Sequence, residues 1–403
     1  MTKVEYLAAM EAALSEFDAA SRAEIILECV KSFSTGELSG KTEQQVIEEL
    51  GSVEECVEAL RELTFAPEMG GAAKQQNTPF TKAEPMQGDY PNVSRLLIEL
   101  CADVVIATAD IADPVVDIRG NKNLIADCVQ EIQGDMLHVY STRNGRTGMK
   151  FGFNFGINEA NGLNVSVTLP RRMKEIILKL SGGDCKCENV QADVFTMASG
   201  GGDTDVKNCI AGLLSCTSGG GDHSLQGITA QKFSCTSGGG DMDIEDVNVL
   251  EMQLKTGGGD MELKSINAVT ADMKTGGGDI VAKRFAANEC KAITGGGDIS
   301  INGNAIGKLF VKTGGGDISV NCVTLGNTEA ITGSGDVELV SAGCTGAIVE
   351  CAGVKGDISI TYKNERINYR RNEVRAVGDA VGTDNASRYT VKSGWGDVSI
   401  KLS

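Results

Sequence analysis

The sequence predicts a mostly β protein: a single-stranded parallel β-helix, a solenoid of nineteen-residue coils, with a small all-α bundle at its N-terminus. Three observations predict it. An Asp closing a glycine run falls at 184, 203, 222, 241, 260, 279, 298, 317 and 336, eight successive intervals of nineteen residues. A fixed period of that size marks a stacked repeat. Between the aspartates, apolar residues come in pairs spaced by two, which places both side chains on one face of a strand. Composition agrees, since 51 glycines and only 4% aromatic residues suit many thin aliphatic layers.

A chain of 403 residues leaves room for two or three domains. Its net charge of −18 argues against nucleic acid and against docking on anionic lipid, because phosphate contacts need clustered Lys and Arg. Thirteen cysteines and two histidines, His138 and His223, are scattered without the short ligand spacings of a zinc site. The odd cysteine count favours reduced thiols in a reducing compartment. The opening Thr2–Glu5 carries no apolar signal core, and no run of about eighteen apolar residues occurs. These features lead us to expect a cytoplasmic protein with no cofactor and no direct membrane insertion.

Residues 1–64 read as an acidic helical domain. Capping boxes, in which a hydroxyl and a Glu or Gln three residues on satisfy orphan N–H groups, occur at Thr2/Glu5, Ser21/Glu24, Thr42/Gln45 and Ser52/Glu55. Apolar residues recur at helical spacing: Leu7, Met10 and Leu14 in the first helix, Ile25, Cys29 and Phe33 in the second, Val46 and Leu50 in the third. Fourteen acidic against five basic residues give this segment a net charge of −9, either a solvated surface or a docking face for a basic partner. The run Glu43–Gly51 with Ser52–Glu55, together with Thr2–Leu7, resembles the HAAS signalling domain, a helical domain associated with PadR-type regulators. That resemblance implies a signalling or adaptor role.

Residues 65–92 hold four of the six prolines, Pro67, Pro79, Pro85 and Pro91, and read as a flexible linker. From 93 to 180, short apolar runs (Leu96–Leu100, Val104–Ala107, Val115–Ile118, Met136–Val139, Leu163–Leu169) alternate with turn residues. They form an irregular β entry that caps the solenoid, because an end layer must not expose apolar side chains and unpaired edges.

Residues 181–403 are the repeats and their C-terminal cap. Numbering each coil from the Ser or Thr before the glycines puts Asp at position five. Positions six and eight then carry Met242 with Ile244, positions eleven and thirteen Ile228 with Ala230 or Val323 with Leu325, and positions sixteen and eighteen Phe233 with Cys235. Three inward pairs per coil predict three short strands and three faces, and the usual crossover chirality favours right-handed winding. A two-faced solenoid is the alternative. The glycines suit a sharp corner that excludes Cβ atoms, and the Ser or Thr before them can form a hydroxyl ladder.

The Asp ladder has two readings. Each carboxylate can accept corner N–H groups as Asx-turns do, or Asp203, Asp222, Asp241, Asp260, Asp279, Asp298, Asp317 and Asp336 can hold calcium between coils. Cys185 and Cys187 should point inward, and Cys216 and Cys235 should stack. The single basic cluster, Arg366, Arg370, Arg371 and Arg375, interrupts the repeat between Asp357 and Asp397. It reads as a solvated insertion or a contact for a partner protein.

The sequences Val167–Pro170, the Gly-Gly-Asp-Ile-Ser-Ile motifs at Asp298 and Asp317, and the closing Tyr389–Ile400 resemble the bacterial "putative adhesin" β-helix family. That family carries no catalytic residues to transfer. The expectation is a non-enzymatic interaction or scaffold protein in signalling or envelope-stress regulation, with a protein partner. The alternatives are a self-assembling, bactofilin-like structural protein and a surface adhesin or carbohydrate-associated β-helix.

Overall fold

The computed structural model describes residues 2–14, 42–50, 52–53, 93–142, 162–370, 372–380 and 386–403. They belong to two units, one within Met1–Thr81 and Ser141–Asn161, the other within Lys82–Tyr140 and Gly162–Ser403. The expected second helix, its Ser21/Glu24 box, the 65–92 linker and Arg371 lie outside the described residues.

In the first unit, helices α1 (Lys3–Ala13) and α2 (Glu43–Leu50) are described. Thr42 and Gln45 form the expected box: Thr42 N–H donates to Gln45 Oε1 at 2.9 Å, and Gln45 N–H to Thr42 Oγ1 at 3.3 Å. The buried stripe of α1 runs through Tyr6, Met10 and Leu14. Tyr6 therefore takes the place expected of Leu7, which is only half-buried. The strict i, i+4, i+8 spacing selects it.

The second unit is the solenoid. Its entry consists of β1 (Arg95–Leu100), β2 (Asp103–Ala109), β3 (Val115–Gly120), the short helix α3 (Lys122–Ala126), β4 (Cys128–Gln133), β5 (Met136–Ser141), β6 (Leu163–Pro170), β7 (Met173–Leu180), β8 (Cys185–Glu188) and β9 (Gln191–Ser199). Seven coils follow: β10 (Thr204–Ser218), β11 (His223–Ser237), β12 (Met242–Thr256), β13 (Met261–Thr275), β14 (Ile280–Thr294), β15 (Ile299–Lys312) and β16 (Ile318–Thr332). The close comprises β17 (Val337–Ser341), β18 (Gly346–Ala352), β19 (Ile358–Tyr362), β20 (Glu365–Ile367), β21 (Val374–Gly378), β22 (Ser387–Ser393) and β23 (Val398–Leu402).

Each coil from β10 to β16 pairs in parallel with the next, so Cys216 lies beside Cys235 and Val206 beside Leu225. Three separate short strands per coil were expected. Instead, ladder pairing continues around two of the three corners, and each coil is one long strand bent twice. The three inward faces survive as burial: in β12, Met242 with Ile244, Val247 with Val249, and Met252 with Leu254.

The bend at position ten is one residue in the left-handed region: Asn189, Asn208, Gly227, Asp246, Ser265 and Arg284, at φ between 53° and 71°. It flips the inward parity between positions eight and eleven. In β15 and β16 that bend is lost and the register shifts beside Phe285. Alternation then runs straight on, so Gly303 and Cys322 point inward. Val323, expected in the core, is 55% exposed.

Neither chain end is the end of the stack. The β1–β2 layer lies between β5–β6 and β7–β8. The β22–β23 layer lies between β16–β17 and β18–β19. Antiparallel strands cover the outer layers, β3 on β6, β20 on β19 and β21 on β18. The segment expected as a solvated insertion thus carries the chain outward through β20 and β21 and back into the stack.

Candidate functional site

The corner is tied on both sides. Inside, each buried Ser or Thr at position one accepts the N–H of its own coil's third glycine and donates to the third-glycine carbonyl of the preceding coil. Thr275 Oγ1, for example, accepts from Gly278 N–H at 3.1 Å and donates to Gly259 O at 2.9 Å. The expected hydroxyl ladder takes the form of this relay, in which each hydroxyl joins its neighbours through the glycine backbone. Outside, each Asp N–H donates to Oδ1 of the preceding Asp, as in Asp279 to Asp260 at 2.8 Å.

Only part of the glycine run is required by packing. A Cβ on Gly276 or Gly278 would sit 2.1 Å from the carbonyl oxygen of Gly257 or Gly259, whereas one on Gly277 meets nothing within 4 Å. Crowding rather than a special φ is the reason, since none of the glycines that precede the column aspartates between residues 200 and 335 has positive φ. The chain itself places Ser334 and Trp395 at the middle position.

The Asp column is longer than the repeat suggests. Asp184 N–H donates to Asp103 Oδ1 at 2.9 Å, Asp397 to Asp336 at 2.7 Å and Asp357 to Asp397 at 2.7 Å. The ladder thus continues through both inserted layers. Asp103 follows no glycine run, so the period could not reveal it. One oxygen of each of Asp203, Asp222, Asp241, Asp260, Asp279, Asp298, Asp317 and Asp336 is committed to an N–H. Among the described residues, no three His, Cys, Asp or Glu side chains form a metal-binding group.

Cys185 and Cys187 are buried, their sulfurs 3.6 Å apart. Desolvation raises the thiols of Cys216 and Cys209, the latter to about 12, which leaves them protonated and unreactive. Arg366, Arg370 and Arg375 are exposed. Arg375 pairs with Glu373 at 3.3 Å, and Glu373 also accepts the Arg370 N–H at 3.0 Å.

His138 sits 2.9 Å from Glu99 on the outer face. His223 occupies the inward position six, 1% exposed, with Nε2 3.3 Å from Thr236 O and Nδ1 unpartnered. Desolvation lowers its pKa below the ordinary value, 6.5. A lowered folded pKa means that the unfolded chain binds more protons, so stability falls as pH drops below about 6.5 towards the folded value. His223→Met, matching Met242 in the same column, should abolish that part of the pH dependence in melting curves between pH 7 and 5. An unchanged slope would show that other groups set it.

A groove of about 830 Å³ runs over the third face, across eight layers from β11 to β16, then β22 and Ile348 of β18, roughly 34 Å at ~4.8 Å per layer. Position fifteen supplies Lys232, Glu251, Thr270, Glu289, Lys308 and Asn327, and position seventeen adds Gln253, Asp272, Lys291, Phe310 and Glu329. Both positions point outward from strands that have partners above and below. Four carboxylates are held by lysines: Glu251 by Lys232 at 3.4 Å, Asp272 by Lys274 at 2.6 Å, Glu289 by Lys308 at 2.5 Å and Glu329 by Lys392 at 2.9 Å. Lys291 Nζ lies 5.8 Å from the Phe310 ring centre. Arg388 donates its backbone N–H to Asn327 Oδ1 at 2.9 Å. No periodic signal marks this groove in the sequence, because its two columns change residue type from coil to coil.

Stacked parallel coils, a buried hydroxyl relay and a polar groove along one face define a parallel β-solenoid. The chain belongs to the Toastrack DUF4097 family, which matches residues 93–263 and again 232–401. Sequence comparison with curated proteins returns no match. Three crystal structures are similar over much of the chain. A "putative lipid binding protein" from Parabacteroides distasonis is 13% identical, covering 81% of this chain and 98% of its own, with a TM-score of 0.37. A "putative adhesin" from Bacteroides fragilis is 12% identical at the same coverages, with 0.31. Another from Parabacteroides merdae is 16% identical, covering 65% and 96%, with 0.30.

Proposed function

We propose that the protein is a non-enzymatic interaction platform in which the third-face groove receives a binding partner and the helical segment couples that event to signalling. The observation that carries this reading is the groove itself, a continuous surface over eight stacked layers lined largely by polar and charged side chains. Its carboxylates are engaged by lysines, an arrangement suited to recognition rather than to proton transfer. The α2 helix and its Thr42/Gln45 box fall within the stretch that resembles the HAAS domain and support an adaptor role for that segment. The buried thiols suit a reducing, cytoplasmic setting. End-to-end assembly is disfavoured by the antiparallel strands that cover the outer layers.

Thr270 is exposed at the groove's middle, its hydroxyl donating to Leu250 O at 3.5 Å. Affinity capture with the intact chain should retain a partner that Thr270→Arg loses, with the melting temperature unchanged. Equal capture by both proteins would remove the groove from the function.

A further inference from the structure

The groove's chemistry narrows what can lie in it. The lining holds four acidic side chains, Glu251, Asp272, Glu289 and Glu329, and four basic ones, Lys232, Lys291, Lys308 and Arg388, in a chain of net charge −18. Lys274 and Lys392 neutralise two of the acids, and Lys232 and Lys308 the other two. That leaves Lys291 and Arg388 without an ion pair among the described residues. The groove is therefore locally cationic at two points on an acidic protein.

An extended peptide fits poorly. The floor strands already pair with the coils above and below, so no sheet edge is offered for β-augmentation. An acyl chain or amphipathic helix would need a continuous apolar lining, and the outward side chains are charged or polar apart from Phe310, Ile348 and Ala386.

A linear glycan meets none of these objections. A carboxylate paired through one oxygen can accept a sugar hydroxyl through the other, and the side chains of Glu251 and Glu289 are exposed to the groove. Gln253 and Thr270 add exposed donors and acceptors. The half-buried Phe310 ring offers an apolar plate to a pyranose face. Two unopposed cations, Lys291 in the layer beside Phe310 and Arg388 two layers to its other side, suit acidic sugars.

We propose that the groove binds a linear, carboxylate-bearing polysaccharide, with Lys291 and Arg388 contacting its carboxylates and Phe310 stacking on a sugar ring. This proposal rests on the reading of the groove as the binding surface.

The test uses the intact chain and three probes by saturation-transfer NMR and calorimetry: an oligogalacturonate, a neutral chito-oligosaccharide and a poly-glutamate peptide. The oligogalacturonate should bind best, and Lys291→Ala and Arg388→Ala should each weaken it about tenfold or more, as expected for a hydrogen bond to a charged group. Phe310→Ala should weaken both sugars. Poly-glutamate binding as tightly as the oligogalacturonate and ignoring Phe310→Ala would reduce the effect to charge attraction and overturn the proposal. Absence of sugar binding overturns it too. If partner capture is still lost in Thr270→Arg, the platform reading survives that failure; if capture is also unaffected, both fall.

Discussion

Gly278→Ala is expected to destabilise the solenoid by about 3 kcal/mol or more, the upper range for forcing atoms into a packed site. Gly277→Ala, one residue away, should cost almost nothing. The difference lies in what the new methyl meets. At Gly278 it would stand 2.1 Å from Gly259 O and 2.6 Å from Asp260 Oδ1. Relief requires the two coils to separate, which also strains the Asp279–Asp260 and Thr275–Gly259 bonds. At Gly277 it would project into open space. Denaturant midpoints of the two variants measure the contrast. Equal losses would mean that backbone freedom, rather than crowding, holds the corner.

The second large effect is expected from Thr275→Val. The two side chains have nearly the same shape, so packing stays while the hydroxyl goes. Gly278 N–H and Gly259 C=O then lose their buried partner, at about 1–3 kcal/mol for each group left unsatisfied. Thr275→Ser keeps the relay and should lose only the contribution of a methyl, about 1 kcal/mol. A Val variant as stable as the Ser variant would show that water reaches the corner and replaces the hydroxyl. Ser218, Ser237 and Ser393 already occupy this position in other coils with the same bonds, which is why serine should be tolerated.

Much of the fold was legible because a nineteen-residue period constrains every column at once. One inward column fixed by Ile244 fixes Leu225 and Leu263 with it, since parallel coils stack like on like. The exception, Cys322 for Val323, depends on a single backbone bend. Asn, Asp and Gly tolerate the left-handed region and hint at that bend, yet Arg284 adopts it and Gly303 does not. Side-chain preference alone could not locate the change. The order of the end layers was hidden for another reason: Asp397 stacks next to Asp336 and ahead of Asp357, so distance along the chain misstates distance along the stack. The groove was illegible because its columns, Lys-Glu-Thr-Glu-Lys in one and Gln-Asp-Lys-Phe-Glu in the other, read as ordinary solvent-facing variation.

The inward placement of the end layers bears on how the protein is made. A ribosome delivers β1 and β2 first, yet their two neighbouring layers arrive only with β5–β6 and β7–β8. At the other end, β18 and β19 emerge early and must wait for β22 and β23 to fill the space beneath them. Growth by simple addition of coils, the usual advantage of repeat architectures, thus applies only to the middle of this chain. Its C-terminal closure needs β22 and β23 to enter between layers whose strands precede them in the chain.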